Sequence, residues 1–162
     1  MDHLWSPWRY QYVKNVDPAG PCVFCEQSAA NQDDKHFILH RAEFNFVILN
    51  LYPYTTGHLM VVPYAHVATL EAATEDTLRE LIVLGRKAEQ CLRSIYRPRG
   101  FNIGMNIGEC AGAGVASHLH LHVLARWPGD TNFLSTVGET RLMPEELPVT
   151  CAKVREAWAA LV

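Results

Sequence analysis

Ser117-His118-Leu119-His120-Leu121-His122-Val123-Leu124 alternates imidazole with aliphatic side chains. Successive side chains of an extended strand point to opposite faces of a sheet. The stretch therefore predicts a strand over Leu119–Ala125, with His118, His120 and His122 on one face and Leu119, Leu121 and Val123 turned into a core. Three imidazoles in a row are poor packing material. They suit nucleophilic, acid–base or metal chemistry, because imidazole is partly neutral near physiological pH and binds metals well. Two sites fit the pattern: a metal centre, since His-x-His on a strand offers neutral nitrogens to zinc, or a nucleophile flanked by helpers.

The segment just upstream separates them. It reads Gly104-Met105-Asn106-Ile107-Gly108-Glu109-Cys110-Ala111-Gly112-Ala113-Gly114-Val115-Ala116-Ser117. Glycines and small side chains let backbone N–H groups approach an anion closely. Alone, such a loop reads equally well as a flexible connection. Running into the histidines, it argues for a phosphorylated ligand beside an imidazole. The N–H groups of Gly112, Ala113 and Gly114 and the hydroxyl of Ser117 are candidates to stabilise charge on phosphoryl oxygens.

Further out, the chain reads as α+β. Residues 36–40 and 44–50 are apolar, β-branched or aromatic and predict strands joined at Arg41-Ala42-Glu43; Leu59–Pro63 predicts a third strand and Phe101–Asn106 another. Thr74 is a candidate helix N-cap, with Glu75 and Asp76 in the positive first turn. Leu78, Leu81, Ile82, Leu84, Ala88, Cys91, Leu92 and Ile95 then recur at helical spacing until Arg97-Pro98. A short helix is expected over Val149–Leu161. Together these give a five-stranded antiparallel sheet with one long helix and a short C-terminal helix to one side. Residues 1–20 read as an irregular arm, in which Trp5, Trp8, Tyr10 and Tyr12 suit base stacking, a dimer clasp or packing on their own domain.

At 162 residues the chain suits one domain with a real core, 1–162. A hydrophobic fraction of 49% against 19% charged residues is globular rather than disordered. A net charge of −3 supplies no basic field for nucleic acid, so a phosphate-rich small molecule must be met by local groups. No apolar run is long enough to span a membrane. Asp2 and the early tryptophans do not resemble a signal peptide. An odd count of five cysteines points to a reducing cytoplasm rather than a disulfide framework.

Cys22-Val23-Phe24-Cys25 is a second cluster. A lone Cys-x-x-Cys is redox-active, metal-binding or merely two buried thiols. Zinc needs two further ligands, for which His66 and His118 are available.

His118-Leu119-His120-Leu121-His122-Val123-Leu124 resembles the signature of the histidine triad family of nucleotide hydrolases and nucleotidyl transferases. Val47-Ile48-Leu49-Asn50-Leu51-Tyr52-Pro53-Tyr54-Thr55-Thr56-Gly57-His58 resembles that family's nucleoside-binding segment. Leu4-Trp5-Ser6-Pro7-Trp8-Arg9-Tyr10 and Arg126-Trp127-Pro128-Gly129-Asp130 are similar to its bacterial diadenosine tetraphosphate phosphorylase branch. The resemblance implies His120 as a nucleophile carrying a nucleoside monophosphate, and His122 as its helper. It implies Asn50 at the ribose and Asn106 at a phosphate, although relatives often carry Gln there. Arg126 and Trp127 fall at the nucleotide as well. If the strand stays regular, Arg126 shares the histidine face and could help neutralise an incoming phosphate; the alternative is that it merely pairs with a surface carboxylate. The resemblance further implies structural zinc on Cys22, Cys25, His66 and His118, a homodimer, and phosphorolysis of diadenosine tetraphosphate to ATP and ADP. Hydrolysis of such substrates or of an adenosine phosphoramidate, a non-catalytic zinc-stabilised nucleotide-binding module, and a metallohydrolase are the alternatives. The last lacks an acidic residue in the triad strand.

Overall fold

The computed structural model describes residues 20–132, 135, 137 and 144–161. The aromatic arm, with Trp5, Trp8, Tyr10 and Tyr12, lies outside them. Helices α1 (Val23–Ala29) and α2 (Asp33–His36) lead into β1 (Ile38–Arg41), β2 (Asn45–Leu49) and β3 (Leu59–Pro63). Then come α3 (Glu75–Tyr96), β4 (Gly100–Gly104), a single 3₁₀ turn at Glu109–Ala111, β5 (Leu121–Arg126) and α4 (Leu147–Ala159). The five strands form one antiparallel sheet in the order β1-β2-β3-β5-β4. The expected α+β architecture is therefore present. The two short N-terminal helices are additional to the reading of the sequence.

The helix α3 begins as its sequence dictates. The Thr74 hydroxyl accepts from the Thr77 N–H, and Glu75 and Asp76 occupy the first turn. The helix stops where Arg97 turns left-handed (φ 46) before Pro98. Leu81, Leu84, Ala88, Cys91 and Leu92 are buried against Val47, Leu49, Leu59, Val61, Leu121, Val123 and Ala125 of the sheet. Ile82 departs from the expected stripe and is 59% exposed. A Cβ on Gly85 would come within 2.9 Å of Leu121, so the helix rides directly on the strand that carries the histidines. The other sheet face holds a smaller core of Phe24, Ile38, Phe46, Ile48, Met60 and Val62.

The strand β5 starts two residues later than alternation predicts. His118 and His120 precede it in non-repetitive backbone, and His122 alone of the three lies within it. The reason lies in the hydrogen bonds. The Leu119 N–H donates to the Val67 carbonyl, in a loop beyond β3, and the regular β3–β5 ladder begins at Val61 opposite Leu121.

Candidate active site

His120 and His122 lie beside each other, with ring centroids 4.8 Å apart. The Nδ1–H of His120 donates to the His118 carbonyl at 2.8 Å. That bond fixes the tautomer and leaves the lone pair on Nε2. Burial pushes the pKa of His120 below its ordinary value, against the opposing pull of the His118 carbonyl, so the ring is neutral and nucleophilic near physiological pH.

His122 is oriented from behind by a residue that the site reading of the sequence missed. Its Nδ1 lies 2.8 Å from Nε2 of His58, which is completely buried. The Tyr54 backbone N–H donates to Nδ1 of His58 at 3.1 Å, and the Asn50 amide reaches the same atom at 3.3 Å. Nδ1 of His58 is thus the acceptor and its Nε2–H the donor. It follows that Nδ1 of His122 accepts and Nε2 of His122 carries the proton. Burial, reinforced by the neighbouring His120, lowers the His122 pKa to about 4. A neutral nucleophile and a neutral hydrogen-bond donor sit side by side. The signal for His58 was present in register: Met60 opposes His122, so His58 lies diagonally across on the same face.

Both rings open onto a cleft of about 120 Å³. One wall is α1, through Val23, Phe24 and Gln27; the opposite wall is the β2 end and turn, from Ile48 to Tyr52. The Phe24 ring lies 5.2 Å from His120 and 5.5 Å from His118. Asn50 lines the cleft, but its side-chain Oδ1 accepts from the Tyr52 N–H, so it also caps the turn.

Behind the cleft, Cys22, Cys25, His66 and His118 bring their ligand atoms within 4.8 Å of one another. Cys22 Sγ lies 3.2 Å, and Cys25 Sγ 3.6 Å, from His118 Nδ1; Cys25 Sγ lies 3.3 Å from His66 Nδ1. Tetrahedral zinc with ordinary bond lengths has sulfur–nitrogen edges of about 3.6 Å. The remaining nitrogen of His118 donates to the Pro63 carbonyl at 2.9 Å, the kind of outer contact that fixes a metal-ligating imidazole. The four residues fit a zinc ion, and only one triad histidine is spent on it.

Other expected site residues stand elsewhere. The Gly112 N–H donates to Glu109 and the Ala113 N–H to Gly108, so the turn itself consumes the donors meant for phosphate; Gly114 lines the cleft. Ser117 is exposed, and neither it nor Asn106 lines the cleft. Arg126 pairs with Asp130 through two nitrogens, at 2.6 and 2.8 Å, and also bonds Asn102. Four residues of strand put it about 13 Å from His122. That pairing is the one the surface-carboxylate reading of Arg126 expects. Trp127 packs edge-on against Tyr96 and donates to that residue's carbonyl, away from the cleft.

This arrangement has known counterparts. Residues 31–129 match the HIT domain family. A protein of Mycobacterium tuberculosis named AP-4-A phosphorylase is 37% identical over 166 residues, covering 98% of this chain and 85% of its own. A Schizosaccharomyces pombe protein named bis(5'-nucleosyl)-tetraphosphatase [asymmetrical] is 30% identical over 93 residues, 57% of this chain and 50% of its own. The crystal structure of a Zn-bound histidine triad family protein from Mycobacterium smegmatis superposes with a TM-score of 0.72 at 28% identity, covering 86% of this chain and 94% of that one. Triad, sheet order and relatives agree: the chain belongs to the HIT domain family and is an enzyme of it.

Proposed function

We propose that the protein is a nucleotidyl transferase that cleaves diadenosine tetraphosphate through a covalent AMP–His120 intermediate and passes the AMP to inorganic phosphate. The observation that carries this reading is the hydrogen bond from Nδ1 of His120 to the His118 carbonyl, which leaves the lone pair on Nε2 of a ring that lines the cleft. In the first step Nε2 attacks the phosphorus of one AMP unit. A P–N bond forms, the bond to the bridging oxygen breaks, and ATP leaves with that electron pair. The Nε2–H of His122 donates a hydrogen bond to the phosphoryl or leaving oxygen. In the second step a phosphate oxygen attacks the same phosphorus, the P–N bond breaks, its electron pair returns to Nε2, and ADP forms. The 37% identity to a protein named AP-4-A phosphorylase supports phosphate as the acceptor.

The other parts follow the same reading. Cys22, Cys25, His66 and His118 hold zinc, which ties α1 to the triad and supplies no reacting group. A second copy of the chain pairs along the outer edge of β4, where Asn102, Ile103 and Gly104 are exposed. All five cysteines are unpaired, which suits the cytoplasm. No helix among the described residues is long and apolar enough to cross a membrane. The test is a product assay on diadenosine tetraphosphate. ATP and ADP should appear together, at a rate that rises with added phosphate. ATP with AMP, at a rate indifferent to phosphate, would make the enzyme a hydrolase.

A further inference from the structure

One polar side chain in the cleft has no role in holding the fold. Gln27 is 93% buried, at 7% relative exposure, and lines the cleft among Val23, Phe24, Ile48, Leu49, Leu51 and Met60. Its side-chain amide has no hydrogen-bond partner among the described residues. An amide that no protein group meets stays available to a ligand that enters the cleft. Its placement is not accidental to the helix. Val23 and Phe24 stand four and three residues before it, so the three share one face of α1, the face turned to the cleft.

We infer that Gln27 is a specificity-determining residue that reads the edge of the nucleobase and selects adenine. The inference rests on the cleft being the nucleotide site proposed above. The apolar neighbours match the faces of a purine but cannot distinguish one purine from another. A carboxamide offers one donor and one acceptor side by side. Adenine presents the complementary pair, the 6-amino group as donor and N7 as acceptor, and glutamine meets both at once. Guanine presents two acceptors, O6 and N7, along that edge, and no single orientation of the amide satisfies both. Substrates with adenine thus acquire two hydrogen bonds, while those with guanine leave a buried polar group unmatched.

Calorimetric titration of the full-length protein with AMP, GMP and purine riboside 5'-monophosphate, which lacks the 6-amino group, tests this without turnover. The wild type should bind AMP at least about tenfold more tightly than either analogue, the ratio that one bidentate base contact gives. In Gln27→Leu and in Gln27→Met, the second keeping the length of the side chain without its amide, that ratio should collapse towards unity. The wild type alone keeps the proposal falsifiable if a variant does not fold. Equal wild-type affinity for AMP and purine riboside monophosphate overturns it, as does an unchanged AMP-to-GMP ratio in either variant. Absence of any nucleotide binding overturns both this inference and the proposed function. Selective AMP binding without cleavage of diadenosine tetraphosphate supports Gln27 and removes only the reaction.

Discussion

An imidazole is a nucleophile only at the nitrogen that lacks a proton, so the catalytic question is which backbone or side-chain acceptor holds the other one. For His120 it is the His118 carbonyl, and for His122 the proton is placed on Nε2 by a chain that runs from the Tyr54 N–H through His58. The second arrangement predicts a graded response. His58→Leu removes the donor to His122 Nδ1 and should lower kcat by about a hundredfold, because the wrong His122 tautomer then presents a lone pair to phosphoryl oxygen. His58→Gln keeps an N–H near the former Nε2 and should recover part of the loss. Steady-state kinetics of the two variants check this; equal loss in both would show that His58 acts only by filling space. Alternation alone singles out His120 and His122 in the sequence. His58 required the register of β3 against β5, which a single sequence does not print. The turn that consumes the N–H groups of Gly112 and Ala113 was not legible either, because glycines permit a phosphate cradle and a tight turn equally well.

Two elements carry these residues to each other, and each depends on one local device. The turn into β3 passes through Gly57 at φ +75, where a Cβ would lie 2.8 Å from Leu92. Gly57→Ala should therefore cost about 2 kcal/mol or more, from left-handed backbone plus overpacking. Gly100→Ala, where nothing lies within 4 Å, should cost little by comparison. Denaturant unfolding of the pair checks this, and similar midpoints would contradict it. The helix α1 is the other case. It has seven residues and no side-chain N-cap, too little to persist alone, which is why periodicity did not reveal it. The thiols of Cys22 and Cys25 meet His118 and His66 at its start. Cys22→Ser should abolish zinc content, lower the melting temperature, and weaken AMP binding through loss of the Phe24 wall, because metal binding and folding are coupled. Metal analysis, thermal melts and calorimetry on the variant test this; unchanged melting with zinc absent would contradict it.

Taken across the fold, the histidines link stability to pH. The folded pKa of His122, about 4, lies below its ordinary 6.5, because the interior disfavours the charged ring. The unfolded chain therefore takes up that proton first as the pH falls. The contribution to stability is fully present above about 6.5 and is lost as the pH falls towards about 4. Urea unfolding at several pH values should show wild-type stability dropping across that window, and His122→Asn should flatten the drop. Parallel profiles would contradict the assignment. The sheet, the long helix and its cap were legible because a buried strand face and an amphipathic helix impose their periods on the sequence. For Arg126, strand alternation gives a face but not a distance: positions four apart lie about 13 Å from each other, at about 3.3 Å per residue.

The covalent intermediate itself is the most direct test. The protein is mixed with diadenosine tetraphosphate in the absence of phosphate, quenched in the millisecond range, and digested for tandem mass spectrometry under conditions that preserve phosphoramidates. One adenylyl group should be found on His120, disappearing when phosphate is added as ADP forms. His120→Asn should carry no label, retain its fold, and turn over more slowly by about three orders of magnitude or more. Rapid turnover with no adduct, or an adduct on a residue other than His120, would contradict the account.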